Sequence, residues 1–256
     1  MTRIIRFSLN RDLPPTATDA CGQVKRGRRE GGTVFDEGGN SWPLEEVRLL
    51  PPCWPSKIVC VGRNYIEHAK ELGNPIPSEP LIFLKPPSSL VADGDQIVYP
   101  VISSFVSYEG ELGVVIGRRA RHVPAAEAQA YILGYTCVND VTARDLQKKD
   151  VQFTRAKGFD TFCAVGPCLV PKEEVGLDGL RVRTFLDDVL KQDAPVSDMI
   201  FSVGKVIAFI TEVMTLEPGD LIATGTPPGV GPMEPGAVVR VEIEGIGSIR
   251  NRVVRG

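Results

Sequence analysis

Phe105-Val-Ser-Tyr-Glu-Gly-Glu-Leu-Gly-Val-Val-Ile-Gly117 is the most informative stretch of this sequence. Side chains alternate between the two faces of a β-strand, so Glu109 and Glu111 are predicted to share one face. The opposite face is wholly apolar, being made of Tyr108, Gly110, Leu112, Val114 and Ile116. The stretch therefore predicts a strand with one apolar face and one face that carries two acids.

Two glutamates on a dry face cannot both remain bare anions. Desolvation and mutual repulsion would sharply raise the pKa of at least one of the two carboxyls unless a cation lay between them. A divalent metal ion is the obvious candidate. The alternative is an ordinary sheet with one wet side, on which Glu109 and Glu111 face solvent.

The overall composition is that of a globular protein that does not bind nucleic acid. The chain has 256 residues, 43% hydrophobic and 24% charged, with 29 Lys plus Arg against 32 Asp plus Glu. The net charge of -3 gives no reason to expect a nucleic-acid partner. The one basic cluster, Lys25 to Arg29, lies between glycines and is predicted to be a solvated turn.

The sequence shows neither a membrane span nor a signal peptide, so we expect a cytoplasmic protein with no membrane partner. Its six cysteines form no C-x-x-C pair, and we expect them to be buried, reduced thiols. Only two histidines occur, His68 and His122, which excludes most zinc sites. A metal here would need oxygen ligands, which suit Mg, Mn or Ca.

Two domains are predicted: a small N-terminal β-rich domain, residues 1–55, and a catalytic domain, residues 56–256. A proline cluster at 51–55 resembles a linker. Beyond it the pattern predicts many strands with few helices, one from Asn64, as its cap, to about Leu72 and one over 202–216. The second helix should bury Val206, Ile207, Ile210, Val213 and Met214. Strands with scattered single helices indicate an α+β fold.

Asp140 is a candidate third carboxylate. It lies where an apolar strand ends, in Val138-Asn-Asp140, and a helix is predicted to follow. Functional side chains are often presented at such positions. The alternative is that Asn139 or Asp140 merely caps that helix. Together with the glutamate pair, however, a metal site of three carboxylates is the favoured hypothesis.

Lys157 is a candidate for stabilising negative charge on a substrate oxygen. The aromatic residues Phe153 and Phe159 beside it indicate partial burial. An ammonium group in such a place can stabilise a developing oxyanion. A lysine whose ammonium reaches solvent is the alternative.

His68 and Glu71 are three residues apart on the first predicted helix, so their side chains can meet. Glu71 could orient the imidazole as a general base, although a solvated pair on a surface helix is the alternative.

The segment Thr224-Gly-Thr-Pro-Pro-Gly-Val-Gly231 is a weaker candidate for holding a substrate carboxylate. It lacks the Gly-Lys-Ser/Thr ending of a phosphate loop.

Taken together, six separated motifs resemble the fumarylacetoacetate hydrolase family over residues 57–256. They are Val61-Gly-Arg-Asn-Tyr65 with His68, Phe83-Leu-Lys-Pro86, Tyr108-Glu-Gly-Glu-Leu-Gly113, Asn139-Asp-Val-Thr-Ala-Arg-Asp145, Ala156-Lys-Gly-Phe159 and Gly225-Thr-Pro227. The resemblance implies a mixed β-sandwich roll, a homodimer, and Mg, Mn or Ca bound by three carboxylates.

The resemblance also implies roles for individual residues. The metal ligands map to Glu109, Glu111 and Asp140, and the catalytic residues to His68, Glu71 and Lys157. The residues expected to bind substrate are Arg63, Tyr65, Arg144, Gln147 and Thr226. A second carboxylate on the substrate would need a further cation, for which Arg63 or Arg155 is available.

The expected activity is metal-dependent hydrolysis of the C–C bond of acylpyruvate-type substrates, or decarboxylation of oxaloacetate. The partner would be a small 2-oxo acid. One alternative is a 2-hydroxyhepta-2,4-diene-1,7-dioate isomerase or decarboxylase of aromatic catabolism. Another is a metal-binding relic of the family without activity, although such a relic would be expected to lose His68, Lys157 or a carboxylate.

Overall fold

A computed structural model of the protein describes residues 1–73 and 75–256, and it is built mainly of strands. The strands are β1 (Arg3–Ser8), β2 (Lys25–Glu30), β3 (Thr33–Asp36), β4 (Ser41–Pro43), β5 (Arg48–Leu50), β6 (Ile58–Gly62), β7 (Leu81–Lys85), β8 (Leu90–Val91), β9 (Gln96–Tyr99), β10 (Val106–Ser107), β11 (Gly110–Ile116), β12 (Ile132–Asp140), β13 (Thr142–Ala143), β14 (Cys163–Pro171), β15 (Arg181–Leu186), β16 (Val189–Pro195), β17 (Leu221–Ala223), β18 (Val238–Ile243) and β19 (Gly247–Arg255). The α-helices are α1 (Ile66–Glu71), α2 (Arg144–Lys149), α3 (Thr154–Lys157) and α4 (Val203–Val213). The α+β prediction is confirmed.

The glutamate strand β11 lies inside a twelve-stranded mixed sheet. It pairs antiparallel with β12 on one side and with β17 on the other. All seven of its residues are buried. A five-stranded sheet, in the order β16-β15-β18-β19-β9, packs against this region. Glu111 lies in β11, whereas Glu109 immediately precedes it, so the strand predicted over 105–117 is interrupted at residues 108–109. Both glutamates are nevertheless buried.

The N-terminal strands are continuous with this large sheet. Strand β1 pairs antiparallel with β14, with Ile4 opposite Leu169. Pro51, Pro52 and Cys53, in the predicted linker, are buried. The division into domains 1–55 and 56–256 stays a prediction.

The basic run Lys25 to Arg29 is a strand, so the predicted solvated turn is wrong. It forms β2, which pairs with both β1 and β3. Arg26 and Arg28 are exposed and alternate with the less exposed Lys25, Gly27 and Arg29. The Arg28 guanidinium lies 4.9 Å from the centre of the Phe35 ring. Long basic side chains can cover apolar surface in this way while their charges stay in water.

The two predicted helices exist, with differences at their ends. Helix α4 begins after Ser202, whose hydroxyl accepts a hydrogen bond from the Lys205 amide. It ends at Val213, which is 59% exposed, so the prediction that Val213 is buried is wrong. Helix α1 begins after Tyr65, and Asn64 instead bonds to the backbone of Phe201 and Thr224. These long-range bonds displace Asn64 from the capping position.

Five of the six cysteines are buried and all six are free thiols, as predicted, but Cys21 is exposed. It lies in a 3-10 turn, Asp19–Cys21, outside the sheets. Among the described residues, no helix is long and apolar enough to cross a membrane.

Candidate active site

Three buried carboxylates meet where β11 and β12 lie side by side. One oxygen from each of Glu109, Glu111 and Asp140 lies within 4.8 Å of the other two. Glu109 is 5% exposed and Glu111 only 1%, so the solvated-face alternative is wrong. Asp140 ends β12, and α2 begins after Ala143, so neither Asn139 nor Asp140 caps that helix.

Three buried cations surround these carboxylates. The Lys157 ammonium lies 2.8 Å from Glu109 Oε2 and 2.7 Å from Asp140 Oδ2. Arg144 pairs with the other oxygen of Glu109 at 2.5 Å, and Lys85 pairs with Asp140 Oδ1. Such pairs repay the cost of burying charge only when their hydrogen bonds are well formed. The cluster is therefore held together electrostatically, and Lys157 is a buried participant rather than a surface residue.

The two glutamates have opposite electrostatic environments. Burial disfavours the charged form of Glu109, but Lys157 and Arg144 outweigh it and lower the pKa of that carboxyl. Burial, together with Asp140 and Glu109, raises the pKa of Glu111 well above its ordinary value. Glu111 accepts one backbone hydrogen bond, from Gly225, at 2.8 Å. Glu111 is thus the carboxylate that most lacks positive charge.

His68 and Glu71 form a contact at one side of the cluster. His68 Nδ1 lies 3.1 Å from Glu71 Oε2, and the imidazole is buried. Burial lowers the pKa of His68, against the opposing effects of Glu109 and Glu71. The other oxygen of Glu71 accepts a hydrogen bond from the Gly229 amide at 3.0 Å. The pair is solvated on one side only, because Glu71 is exposed while His68 is buried. Nε2 of a neutral His68 is left to accept a proton.

The glycine-rich loop 224–231 is fixed from several directions. The Thr226 hydroxyl donates to the Gly110 carbonyl at 2.9 Å and accepts from Gln192 Nε2 at 2.8 Å. The Tyr108 hydroxyl donates to the Gly229 carbonyl at 2.9 Å. Gly225, with φ of 101°, takes a conformation that favours glycine and lies against Asn64, which a Cβ would meet at 2.6 Å.

A cavity of about 270 Å³ opens onto this cluster. Its lining includes seven of the residues that the sequence predicted for the site: Arg63, His68, Glu109, Arg144, Gln147, Lys157 and Thr226. Glu111, Asp140 and Glu71 do not line it, but they contact or adjoin residues that do. Tyr65 is buried beside α1 and is outside the lining, so its substrate-binding role stays a prediction.

Several site residues were not predicted. Lys85 belongs to the motif Phe83-Leu-Lys-Pro86, and its position at the end of an apolar strand before a proline is the one local signal that the sequence offers. No local sequence pattern predicts Gln192 as a site residue, because it lies between Lys191 and Asp193 in a hairpin strand of mixed polarity. Lys148 also lines the cavity. Each of these residues reaches the site only through tertiary packing.

The donor set fits a hard divalent cation. Three carboxylates with converging oxygens suit Mg, Mn or Ca rather than a soft metal. Two further observations agree. Glu111 has a raised pKa that a cation would relieve, and the buried Tyr65 hydroxyl has no hydrogen-bond partner among the described residues. Burial and Glu111 together raise the pKa of that hydroxyl.

The structure thus combines mixed β-sheets with a buried cluster of three carboxylates that could hold a metal ion. The model of the fumarylacetoacetate (FAA) hydrolase C-terminal region matches residues 57–254, and the chain belongs to the fumarylacetoacetate hydrolase family. The resemblance seen in the sequence is thereby confirmed.

Relatives of this chain are named for different reactions. It is 46% identical over 196 residues to the mitochondrial oxaloacetate decarboxylase of Dictyostelium discoideum, covering 74% of this chain and 89% of that protein. It superimposes on 2-hydroxyhepta-2,4-diene-1,7-dioate isomerase from Mycobacterium marinum with a TM-score of 0.87 and 44% identity, covering 100% and 99% of the two chains. Maleylpyruvate hydrolase from Sphingobium sp. SYK-6, in complex with manganese(II) and pyruvate, is 29% identical with a TM-score of 0.82, covering 99% of each chain.

Proposed function

We propose that this protein is a divalent-metal-dependent enzyme that breaks a C–C bond of a 2-oxo acid, by hydrolysis of an acylpyruvate or by decarboxylation of oxaloacetate. The observation that carries the proposal is the placement of the buried His68 base and the Glu109–Glu111–Asp140 cluster about one small cavity. The named decarboxylase and hydrolase relatives support it.

Glu109, Glu111 and Asp140 would hold Mg, Mn or Ca. When bound, the cation would supply Lewis-acid stabilisation of negative charge on the substrate's oxygens. The manganese in the maleylpyruvate hydrolase structure supports this assignment.

His68 is proposed to act as the general base. Its bond to Glu71 fixes the ring, and because burial lowers its pKa, Nε2 is unprotonated at neutral pH. In the hydrolytic reaction Nε2 removes a proton from water, and the hydroxide attacks the carbonyl two carbons from the ketone. The C–C bond then breaks, its electron pair passes to the 2-oxo fragment as an enolate, and protonation gives the ketone.

The same charge distribution serves decarboxylation. Loss of CO2 from a carboxylate whose carbon is two carbons from the ketone carbon breaks the C–C bond between them, and its electron pair passes to the ketone as an enolate. The Lys157 ammonium, whose pKa Asp140 and Glu109 raise against the effect of burial, stays charged beside the cavity. We propose that it stabilises the enolate oxygen. Thr226, Arg144 and Gln147 line the same cavity and are proposed to orient the substrate.

The experiment is turnover of the purified protein with Mg or Mn, and with EDTA, on acetylpyruvate, fumarylpyruvate, oxaloacetate and a 2-hydroxydienoate. Metal-dependent release of pyruvate from any of the first three substrates is the expected result. His68→Ala should abolish release while metal affinity, measured by calorimetry, is retained. Full activity of His68→Ala would contradict the proposed base.

Isomerisation is the second candidate, because the Mycobacterium marinum relative is named for it. There the base would only move a proton on a dienoate, with no water attack and no loss of CO2. Preferential ketonisation of the 2-hydroxydienoate in the same panel would favour this branch.

We further propose that the protein is a cytoplasmic homodimer, as its family resemblance implies. Light scattering coupled to gel filtration would test the assembly, with a mass near twice the 27.8 kDa of the chain expected.

A further inference from the structure

The positive charges lining the cavity fall into two groups. Arg144 and Lys157 are buried and paired with carboxylates of the cluster. Arg63 and Lys148 also line the cavity, but within residues 1–73 and 75–256 neither pairs with an acid. Arg63 is half-buried and Lys148 is exposed, so the unpaired charges lie toward the solvent side. The cavity thus has neutralised cations at its floor and free ones at its mouth.

Arg63 is held in a strained backbone conformation. Its φ of 58° lies in the left-handed region, which few residues other than glycine, asparagine and aspartate adopt readily. The neighbouring Asn64 is fully buried, and its amide bonds to the Thr224 carbonyl at 2.7 Å and to both backbone groups of Phe201. These bonds over-determine the turn. Strain maintained in this way is characteristic of functional positions.

Helix α2 carries both Lys148 and Arg144, one of the two paired cations that line the cavity. Arg144 and Lys148 are four residues apart on α2, and residues at this spacing share a helix face. Arg144 is tied to Glu109 at 2.5 Å, so it anchors this face of the helix against the cluster. Lys149, the next residue, is also exposed but does not line the cavity. The position of Lys148 is therefore specific to its face.

We propose that Arg63 and Lys148 form a subsite for a second carboxylate of the substrate, which makes the preferred substrates 2-oxo dicarboxylates. This inference rests on the proposed function for the binding of the keto-acid end beside the acidic cluster. The distal carboxylate then meets two cations that pair with no acid in the described part of the chain. Arg155, the other arginine that the sequence offers for this role, pairs with Asp150 at 2.7 Å and is outside the cavity lining.

The size of the cavity restricts the chain between the two carboxylates. A volume of about 270 Å³ is below the range of roughly 300–1,000 Å³ typical of sites for drug-sized ligands. Apolar contacts come from Leu72, Phe83 and Phe153. A short dicarboxylate, with an unbranched apolar chain between two charged ends, matches this lining.

The test compares two stable ligands that differ only at the distal end. 2-Oxoglutarate carries a carboxylate where 2-oxopentanoate carries a methyl group, and neither loses CO2 readily. Their affinities for the Mg-loaded protein would be measured by calorimetry for wild type, Arg63→Asn, Lys148→Met and the control Lys149→Met. Asparagine tolerates the left-handed conformation, so Arg63→Asn removes the charge without adding strain.

We expect wild type and Lys149→Met to bind 2-oxoglutarate about tenfold more tightly than 2-oxopentanoate, as charge-assisted hydrogen bonds predict. Arg63→Asn and Lys148→Met should each reduce that ratio, and the double variant should abolish it, with 2-oxopentanoate affinity unchanged. No preference in wild type, equal weakening of both ligands, or an equal effect of Lys149→Met would overturn the subsite.

The turnover panel separates this proposal from the proposed function. If wild type turned over no substrate of the panel but kept a preference for the dicarboxylate that Lys148→Met removes, the proposed reaction would fail and the subsite would stand. If acetylpyruvate were turned over and the dicarboxylate preference were absent, the reverse would hold.

Discussion

His68 Nδ1 lies 3.1 Å from Glu71 Oε2, and this contact fixes which ring nitrogen faces the chemistry. The ordinary pKa of a histidine side chain is about 6.5. Burial lowers the pKa of His68, so its imidazole stays neutral at a lower pH than an exposed histidine would. We expect kcat/KM to be level near pH 7 and to fall only at lower pH, as His68 gains a proton. A pH–rate profile with Mg saturating measures this.

Glu71→Gln should move the acid limb of that profile to lower pH, because the bond to Glu71 raises the pKa of His68. Turnover should also fall, by about a hundredfold or more if His68 is the general base. Glu67→Gln is the matched control, since Glu67 pairs with Lys70 on the exposed side of α1. A profile that Glu71→Gln leaves unmoved would count against the dyad.

Glu111→Gln should have opposite effects on the apo and metal-loaded protein. Its pKa is raised, so the ionised form destabilises the fold as pH rises above the ordinary value. In EDTA at pH 7 the neutral amide should match or exceed wild-type stability, while its oxygen can still accept the Gly225 hydrogen bond. Mg affinity should fall by more than about tenfold, because even the mutation of residues that only hydrogen-bond to metal ligands costs about that much. Thermal melts and calorimetry measure the two quantities.

Lys85→Met should destabilise the apo protein strongly. Lys85 is 1% exposed and pairs with Asp140, so its loss leaves a buried carboxylate short of one partner. Breaking a buried pair from one side costs about 3–5 kcal/mol. Urea unfolding in EDTA measures this, and exposed Lys149→Met should change stability by less than about 0.5 kcal/mol. Saturating Mg should reduce the loss of unfolding free energy caused by Lys85→Met, because the cation restores positive charge beside Asp140. A loss that Mg leaves unchanged would contradict a metal site here.

Only one thiol should react in the native protein. Burial raises the pKa of Cys53 and Cys163 to about 12, and Cys60, Cys137 and Cys168 are also buried. Cys21 is exposed, so a thiol reagent should label one cysteine per native chain and six after unfolding. Mass spectrometry identifies the labelled residue, and Cys21→Ser should abolish native labelling.

The carboxylate cluster could be predicted from the sequence because its geometry is local. Alternation along one strand places Glu109 and Glu111 on one face, and helical spacing places His68 near Glu71. These two spacings depend on the backbone period alone. Asp140 is different, because its approach to the glutamates depends on the pairing of β12 with β11, and its position at the end of an apolar strand was the only local signal.

The remainder of the site depends on long-range packing. Gln192 bonds to Gly110 and Thr226, which are 82 and 34 residues away along the chain. The burial of Lys85 and the free charge of Lys148 follow from which elements meet, and no local pattern encodes either. The same cause explains Asn64, whose tertiary bonds override its strong tendency to cap a helix.

The position of β17 beside β11 has a consequence for biosynthesis. Residues 221–226 supply the second neighbour of the glutamate strand and the loop that bonds to Glu111, yet a ribosome adds them about a hundred residues after Glu111 itself. Until they emerge, β11 of the nascent chain has one open edge. Such edges invite pairing with other chains, so we expect the incomplete chain to be more prone to aggregation than the finished one.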